Sequence, residues 1–523
     1  MIHPLLPFAA PLLIALVAIL APFSPGQRPA WLLRAAQAAA LTAIAVSFAS
    51  IAQLIFGGPM TSQVLGFGEI GLSARLDTVS VTMLTMISVI GWVVLRYSAT
   101  YLDGEERQGA FIGWMCATLA AVLLFVLAGN LVHLALSWVG ISLCLHRLLL
   151  FYPERLQAVR GARKKFIVAR ASDIALLGAI ALLWASFGTV DLGSILADAR
   201  ANAGAGAGSG AVVGAAALLA IAAVLKSVQF PMHGWLTEVV DTPTPVSALL
   251  HAGVVNGGGF LLIRFADVML LSPGVLAVLV MVGGFSALLG GLAMLSQSAV
   301  KNSLAWSTIA QMGFMIMQCG LALFPLALLH IVAHSFYKAH AFLSSGSAVD
   351  VVTSIRRPGP IAVPSGLNVG MAFALALGIY AVIGALFGLA DKSPQAIGLG
   401  AILVFGVAYL LAQGLADKAP RELTFKTALY SLFTSLGYFI LQRGSEWLTA
   451  GTLPDTPAPG ALEWTLIILA VASFGLTAVA QAFFPRWAGH PAAAGLRVHL
   501  SNGLYANAVF DRLVGNWSTR TPR

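Results

Sequence analysis

A lysine shortly before a proline is the first candidate functional residue in this largely apolar sequence. Lys226 follows an apolar run from Ala211, and Pro231 comes five residues after it. A proline there removes a backbone donor and breaks or kinks the helix. At membrane depth such backbone is tolerated only against protein or water, and a central lysine costs about 2.5–3.5 kcal/mol. The pattern predicts an ion path through the break; the alternative is a lysine whose ammonium group extends to the lipid head groups.

A second group of titratable side chains lies in the stretch LALLHIVAHSFYKAHAFL. His330, His334 and Lys338 are spaced four residues apart, which places them on one face of a helix. Imidazoles donate and accept protons near neutral pH, and burial helps a lysine to release its proton. The spacing predicts a proton wire. The alternative is a structural hydrogen-bond pair of histidines, while a metal site is disfavoured because no third ligand has the expected spacing.

The composition predicts a polytopic, all-α membrane protein as the frame for these groups. Of 523 residues, 59% are hydrophobic and 9% are charged, whereas soluble domains carry about 25% charged residues. The mean hydropathy is +0.89. Stretches of about 20 apolar residues predict about fifteen transmembrane helices. They lie near residues 4–23, 31–56, 75–97, 110–129, 131–151, 165–187, 211–239, 245–266, 274–295, 303–321, 325–347, 367–390, 395–416, 424–442 and 462–484.

Basic residues indicate the orientation of the chain in the membrane. If the N-terminus is outside, far more lysines and arginines fall in inner loops than in outer ones, as the positive-inside rule requires. Lys164 and Lys165 are counted in an inner loop and Arg264 in an outer one. The net charge of +9 therefore reports topology and not nucleic-acid binding. We expect a multi-pass protein in contact with lipid, with its N-terminus outside and its C-terminus in the cytoplasm.

Several segments resemble the proton-conducting subunits shared by respiratory complex I and Mrp-type antiporters. The lysine–proline break followed by TPTPVSALLHA resembles the broken seventh helix and the eighth helix of that family, and HIVAHSFYKA resembles its eleventh helix. KNSLAWSTIAQMGF and KKFIVARASDIALL resemble its tenth and sixth helices. The resemblance implies antiporter-like inverted repeats with broken helices. The implied proton path consists of Lys226, His251, His330, His334, Lys338 and Asp173.

Other polar residues are candidates for counter-charges or for lining that path. They are Arg170, Glu238, Asp241, His146, Lys301 and Tyr380. Two departures from the family pattern affect them. The tryptophan–glutamate pair of the fifth helix, whose acid partners the broken-helix lysine, reads Trp138-Val139 here. The twelfth helix, Asn368 to Gly388, lacks the usual charged group and offers Tyr380 instead.

These departures, together with the basic stretch from His146 to Phe166, resemble the membrane subunits of DAB-type inorganic carbon transporters. That resemblance implies a cation-conducting subunit of the bacterial inner membrane, with the proton as cation and a periplasmic N-terminus. It also implies a soluble cytoplasmic zinc partner similar to a β-carbonic anhydrase, which would convert CO2 to bicarbonate within a dimer of heterodimers. This chain would be a transporter subunit and not an enzyme, without a cofactor or metal of its own. The alternative is a subunit like complex I subunit L or an Mrp-type cation/proton antiporter. A scaffold without a transport function is disfavoured, because it would not explain why titratable side chains are kept inside the membrane.

The chain divides into four expected regions. Residues 1–109 form N-terminal helices, 110–390 the antiporter-like conducting core, 391–485 C-terminal helices and 486–523 a cytoplasmic tail. RVHLSNGLYANAVFDRL, within that tail, resembles a cytoplasm-side motif of the family. Its spacing is near-helical, and such amphipathic segments dock on lipid or on a partner. We expect the partner to dock on the tail through Arg497, Leu504, Tyr505, Phe510 and Arg512.

Overall fold

The computed structural model describes residues 4–67, 70–202, 208–347, 365–414 and 421–514, and it is predominantly helical. The first half contains α1 (Leu6–Phe23), α2 (Ala30–Gly57), α3 (Thr78–Tyr101), α4 (Gln108–Leu127), α5 (Leu131–Leu149), α6 (Leu156–Phe187) and α7 (Leu192–Ala201). The middle contains α8 (Gly210–Lys226), α9 (Gly234–Glu238), α10 (Thr244–Arg264), α11 (Ala266–Leu270), α12 (Pro273–Leu295), α13 (Val300–Gly320) and α14 (Phe324–Leu343).

The last part contains α15 (Gly366–Leu386), α16 (Pro394–Gly414), α17 (Arg421–Thr449), α18 (Ala461–Ala482), α19 (Phe484–Trp487), α20 (Pro491–Ser501) and α21 (Ala506–Val514). Every one of the fifteen predicted spans contains a helix, and the seventh is divided between α8 and α9. Among the described residues, ten helices are long and apolar enough to cross a membrane. The prediction of an all-α, multi-pass membrane protein with broken helices is therefore confirmed.

Four short strands between α2 and α3 were not predicted. β1 (Met60–Thr61) pairs antiparallel with β4 (Arg75–Leu76), and β2 (Leu65–Phe67) pairs with β3 (Ile70–Leu72). This hairpin lies at the same end of the bundle as α7, because an isolated bridge joins Ala74 to Ala128 and the next joins Asn130 to Asp191. The strands therefore lie against the end of α4 and the start of α5.

The centre of the bundle is α10, whose residues are all buried. Its middle, Leu250–Val254, is a π-helical stretch. Such one-turn bulges interrupt the α-helical hydrogen-bond ladder and are frequent at functional sites. The helix therefore has an irregular backbone at the place where it is most enclosed by protein, as membrane-embedded irregular backbone must be.

Small residues allow the densest helix contact, between α12 and α13. A Cβ at Gly283 would lie 2.6 Å from the carbonyl oxygen of Gly313, and a Cβ at Gly313 would lie 2.7 Å from the oxygen of Gly283. The two backbones pack directly against each other there. Close contacts of this kind hold helices together in lipid, where burial of apolar surface contributes little.

A buried ion pair ties the end of α10 to the start of α3. Arg264, which the orientation count placed in an outer loop, is only 4% exposed. Its Nη1 lies 2.5 Å from Oδ2 of Asp77, and its Nη2 donates to the Ser80 hydroxyl at 2.6 Å. Arg75 contacts the same carboxylate at 2.8 Å, and the other carboxylate oxygen caps α3. One acid thus holds two arginines and a helix terminus.

Replacing that acid should destabilise the protein strongly. In Asp77→Ala the buried Arg264 guanidinium would lose its counter-charge, and removing one partner of a buried pair costs about 3–5 kcal/mol. We expect a clear fall in the thermal unfolding temperature of the purified protein in detergent. Asp103→Ala is the matched control, because Asp103 and its partner Arg28 are both exposed and surface pairs contribute about 0–1 kcal/mol. Equal melting of the two variants would contradict this role of Asp77.

Candidate functional site

The predicted break after Lys226 is present, and protein groups satisfy the backbone around it. The helix α8 ends at Lys226 and α9 begins at Gly234, with Pro231 in the irregular segment between them. The Phe230 amide donates to the Ser286 hydroxyl at 3.1 Å. The Ser227 hydroxyl donates to a carbonyl of α10 at 3.0 Å. The break is thus supported from α10 and α12, and it leaves Lys226 at a helix end inside the bundle.

Lys226 faces a small cavity beside the indole of Trp138. Its Nζ lies 4.2 Å from the centroid of that ring, within the range of cation–π attraction. The cavity, of about 20 Å³, is also lined by Lys165, Asp173 and Val254. This volume is enough for about one water molecule. Since Val254 ends the π-helical stretch of α10, the Lys226 cavity directly adjoins the irregular part of that helix.

Asp173 pairs with an arginine on its own helix and lines the same cavity as Lys226. The Arg170 Nη2 lies 2.6 Å from Oδ2 of Asp173, and Lys226 and Asp173 both line the cavity. Asp173 is 6% exposed. The sequence-predicted group of Lys226, Asp173 and Arg170 is therefore brought together. That Asp173 serves as the counter-charge of Lys226 stays a prediction.

His251 lies in the π-helical stretch of α10 and contacts the helices of the tenth and eleventh spans. Its Nδ1 lies 2.9 Å from the Thr308 hydroxyl. Its ring stacks on Phe342 with centroids 4.2 Å apart. The His251 carbonyl lies 3.3 Å from Nε2 of His334. A histidine of α10 thus contacts both α13 and α14 at the centre of the bundle.

The side chains predicted as a wire do follow one face of α14. The rings of His330 and His334 have centroids 6.1 Å apart. His330 Nδ1 lies 2.9 Å from Oε1 of Gln318, a partner that the sequence analysis did not identify. Lys338 is completely buried, and its Nζ donates to the Ser307 hydroxyl at 2.7 Å. The line therefore continues through amide and hydroxyl groups of α13 at both ends.

Four of the predicted lining residues lie elsewhere. Asp241 is exposed, and its backbone carbonyl accepts from Arg155 at 2.7 Å. Lys301 lies in the first turn of α13 and is half-buried. Tyr380 packs on Phe439, with ring centroids 5.1 Å apart, among the C-terminal helices. Glu238, the fourth, belongs to the contact between the broken helix and the tail.

Two lysines that were counted as loop charges are buried parts of α6. Lys164 is 1% exposed and Lys165 is 5% exposed. Lys165 Nζ donates to the Ser142 carbonyl at 2.6 Å and lies 3.1 Å from the Ser142 hydroxyl. The helix starts at Leu156, so it is much longer than the apolar stretch alone. The available signal was the absence of proline between Leu156 and the predicted span.

Lys164 connects the broken helix to the C-terminal tail. It pairs with Glu238 at the end of α9 and with Asp511 of α21 at 2.6 Å. Asn507 accepts from Lys164 at 3.0 Å and donates to Glu238 at 2.7 Å. A Cβ at Gly234 would lie 2.2 Å from the Asn507 side chain, so glycine is needed for this approach. The tail is thereby anchored on the segment that follows the break.

This arrangement is that of an antiporter-like membrane subunit, and comparisons with known proteins agree. Residues 128–358 match the family model described as NADH:quinone oxidoreductase/Mrp antiporter, transmembrane. Residues 65–112 match the model of the complex I chain 5 N-terminus. The fold is similar to the structure of the Mrp complex from Dietzia sp. DQ12-45-1b, with a TM-score of 0.60 and 23% identity. That alignment covers 98% of this chain and 60% of the Mrp chain.

Similarity to two proteins identifies the branch of this antiporter-like group to which the chain belongs. The chain is 35% identical over 524 residues to the probable inorganic carbon transporter subunit DabB2 of Halothiobacillus neapolitanus, covering 97% of this chain and 93% of that one. It is 44% identical over 276 residues to the probable inorganic carbon transporter subunit DabB of Hydrogenovibrio crunogenus, covering 53% of each chain. The chain belongs to this DabB family.

Removing the Lys164 side chain should loosen the tail. Hydrogen bonds to charged groups contribute about 1.5–3 kcal/mol, so Lys164→Ala should raise amide hydrogen exchange of residues 506–514 by about tenfold or more. Exchange measured by mass spectrometry tests this. Lys426→Ala is the control, because Lys426 forms an exposed pair with Glu422. Unchanged protection of residues 506–514 in Lys164→Ala would show that apolar contacts alone hold the tail.

Proposed function

We propose that this chain is the proton-conducting membrane subunit of an inorganic carbon transporter. Protons run downhill through it and energise the conversion of CO2 to bicarbonate by a soluble, zinc-dependent partner that resembles a β-carbonic anhydrase. The observation that supports this most is the set of titratable side chains in the middle of the bundle, in a member of the DabB family. Lys226 stands half-buried at the helix break, and His251, His334 and Lys338 are buried on α10 and α14.

The chemistry of the lining favours the proton as the conducted ion. Sodium needs several oxygen ligands, whereas the groups around the path are mainly lysines and histidines. Asp173 is the acid of the Lys226 cavity, and Arg170 already pairs with it. Lysine and imidazole pass protons by donating and accepting in turn. The hydroxyl of Ser307 and the amide of Gln318 extend this line with groups that can hydrogen-bond to water.

The direction of flow is argued from the twelfth span. The helix α15 carries no charged side chain, so a proton crossing this region depends on water and on polar groups such as Tyr380. A path with few charged stations is poorly suited to pumping uphill. It is suited to a downhill current, which gains about 2.3 kcal/mol per charge for each 100 mV of membrane potential.

The tail offers a surface for the partner above the broken helix. Asn507 and Asp511 of α21 hold its inner side, and Phe510 also packs inward near Pro231. The opposite side is exposed. It presents Leu504, Tyr505, Val509 and Leu513, with Arg497 and Arg512 also exposed. We place this surface in the cytoplasm of the bacterial cell, with the N-terminus periplasmic.

The zinc chemistry is assigned to the partner. Among the described residues, no group of three or more His, Cys, Asp or Glu side chains could hold a metal ion. This subunit would then conduct protons and the partner would hydrate CO2. The two activities would be coupled where the tail contacts the broken helix.

Replacing the central lysines should abolish carbon accumulation. In Lys226→Ala and Lys338→Ala, the proton path loses a group that must bind and release the proton. Uptake of labelled inorganic carbon by cells that express the complex should fall to the level of cells without it. Lys426→Ala, an exposed lysine, should leave uptake unchanged, and co-purification of the partner should show that all variants assemble.

The identity of the ion is tested in the same cells. A protonophore should collapse accumulation in the wild type, because the proton gradient and potential drive it. If accumulation survived the protonophore but disappeared when sodium was withdrawn, the conducted ion would be sodium.

Charges on the outer side of the tail should prevent binding of the partner. Val509→Glu with Leu513→Glu puts two carboxylates on the exposed apolar side, while Asp511 and Lys164 remain in place. We expect co-purification of the soluble subunit to fall by about tenfold, because interface anchors of this kind contribute about 1–2 kcal/mol each. Proton flux through the chain alone should not change. A complete complex recovered from this double variant would exclude this surface.

A further inference from the structure

The Lys226 cavity contains more positive than negative side chains. Lys165, Lys226 and Arg170 face it or border it, while Asp173 is the acid that lines it. Uncompensated charge is costly inside a protein in a membrane. Arginine keeps its proton under all ordinary conditions. At least one of the two lysines therefore has a strong reason to release its proton, and both are placed to exchange one through the cavity.

The two neighbouring lysines of α6 differ in a way that assigns them different roles. Lys164 meets the carboxylates of Glu238 and Asp511, so its ammonium group is paired with two acids. Lys165 meets the carbonyl and hydroxyl of Ser142. A neutral amine can donate to these acceptors as well as an ammonium group can. Lys165 can thus keep its position in both protonation states.

The side chains around Lys165 continue away from the cavity. On α5, Ser142 and His146 are four residues apart and share a face. The His146 ring lies 5.1 Å from the ring of Phe166, the residue that follows Lys165 on α6. Its Nδ1 is buried without a protein hydrogen-bond partner in the described part of the chain. A buried ring nitrogen without a partner is a site for water or for an incoming proton.

We propose that Lys165, Ser142 and His146 form a proton branch that leads from the Lys226 cavity along the α5–α6 contact. The proposal rests on the proposed function. The Lys226 ammonium group gives one proton to the Lys165 amine through the cavity. Lys165 then protonates the Ser142 hydroxyl oxygen as that hydroxyl passes its own proton toward His146. Each step moves one proton, and His146 releases it from its other ring nitrogen.

This branch also accounts for the missing acid of α5. Val139 occupies the position where related subunits carry the partner of the broken-helix lysine, and Ser142 lies one turn further along the same face. A carboxylate at position 139 would hold the lysine proton near Lys226. A second amine, placed one turn away, instead accepts that proton and carries it onward.

The test uses the full chain in proteoliposomes with an internal pH-sensitive dye and an imposed potassium diffusion potential. Lys165→Gln keeps a hydrogen-bond donor for Ser142 but cannot carry a proton. Lys165→Arg keeps the positive charge but does not release its proton. A proton-carrying Lys165 requires both variants to lose flux, by about tenfold or more. Melting temperature and elution volume establish that both variants are folded.

The outcomes separate the branch from other roles of Lys165. Wild-type flux in Lys165→Gln would show that Lys165 serves only as a structural hydrogen-bond donor. Wild-type flux in Lys165→Arg would show that it serves only as a permanent positive charge. Either result overturns the proposal. His146→Ala should slow flux as well, whereas His340→Ala, an exposed histidine on α14, should not. Lys226→Ala is measured in parallel. If it conducts normally, the proposed function fails; if it is inactive while Lys165→Gln is active, only the branch fails.

Discussion

The cost of placing a charge inside a membrane protein governs most of this structure. Such a charge must be paired, solvated, or able to lose its proton. Arg264 is paired by Asp77, and Lys164 is paired by Glu238 and Asp511. Lys226 has an aromatic ring, a small cavity and a carboxylate already shared with Arg170. The first two charges hold helices together, whereas the third must share its nearest carboxylate with Arg170.

This distinction explains where the irregular backbone lies. The break between α8 and α9 and the π-helical stretch of α10 meet at the Lys226 cavity. Regular helices would satisfy their own backbone groups and leave no room for water. Irregular backbone instead opens space and presents carbonyls, such as that of His251, to titratable side chains. The cost of the irregular segments is offset by hydrogen bonds from α10 and α12.

Sequence patterns were sufficient to predict the spans, the break and the histidine line, because each depends on local spacing. Pro231 interrupts the helix regardless of what packs against it. A spacing of four residues places His330, His334 and Lys338 on one face. Lys165 was misplaced because a run of basic residues reads as a loop when burial is unknown. Gln318 and Asp511 were not identified because their partners are distant in the chain, and only packing brings α13 and α21 to them.

The packing of α21 suggests how a soluble partner could influence conduction without reaching the membrane interior. Its inner side bonds to Lys164 on α6 and to Glu238 on α9, and these helices enclose the Lys226 cavity from two sides. Lys164 and Lys165 are consecutive residues, so the ion pair with Asp511 lies on the residue next to one that lines the cavity. A partner bound to the exposed side of α21 would therefore act on the cavity through one turn of α6. Coupling of this kind needs no flexible linker, because α21 is bonded to α6 and α6 carries the titratable groups Lys165 and Asp173.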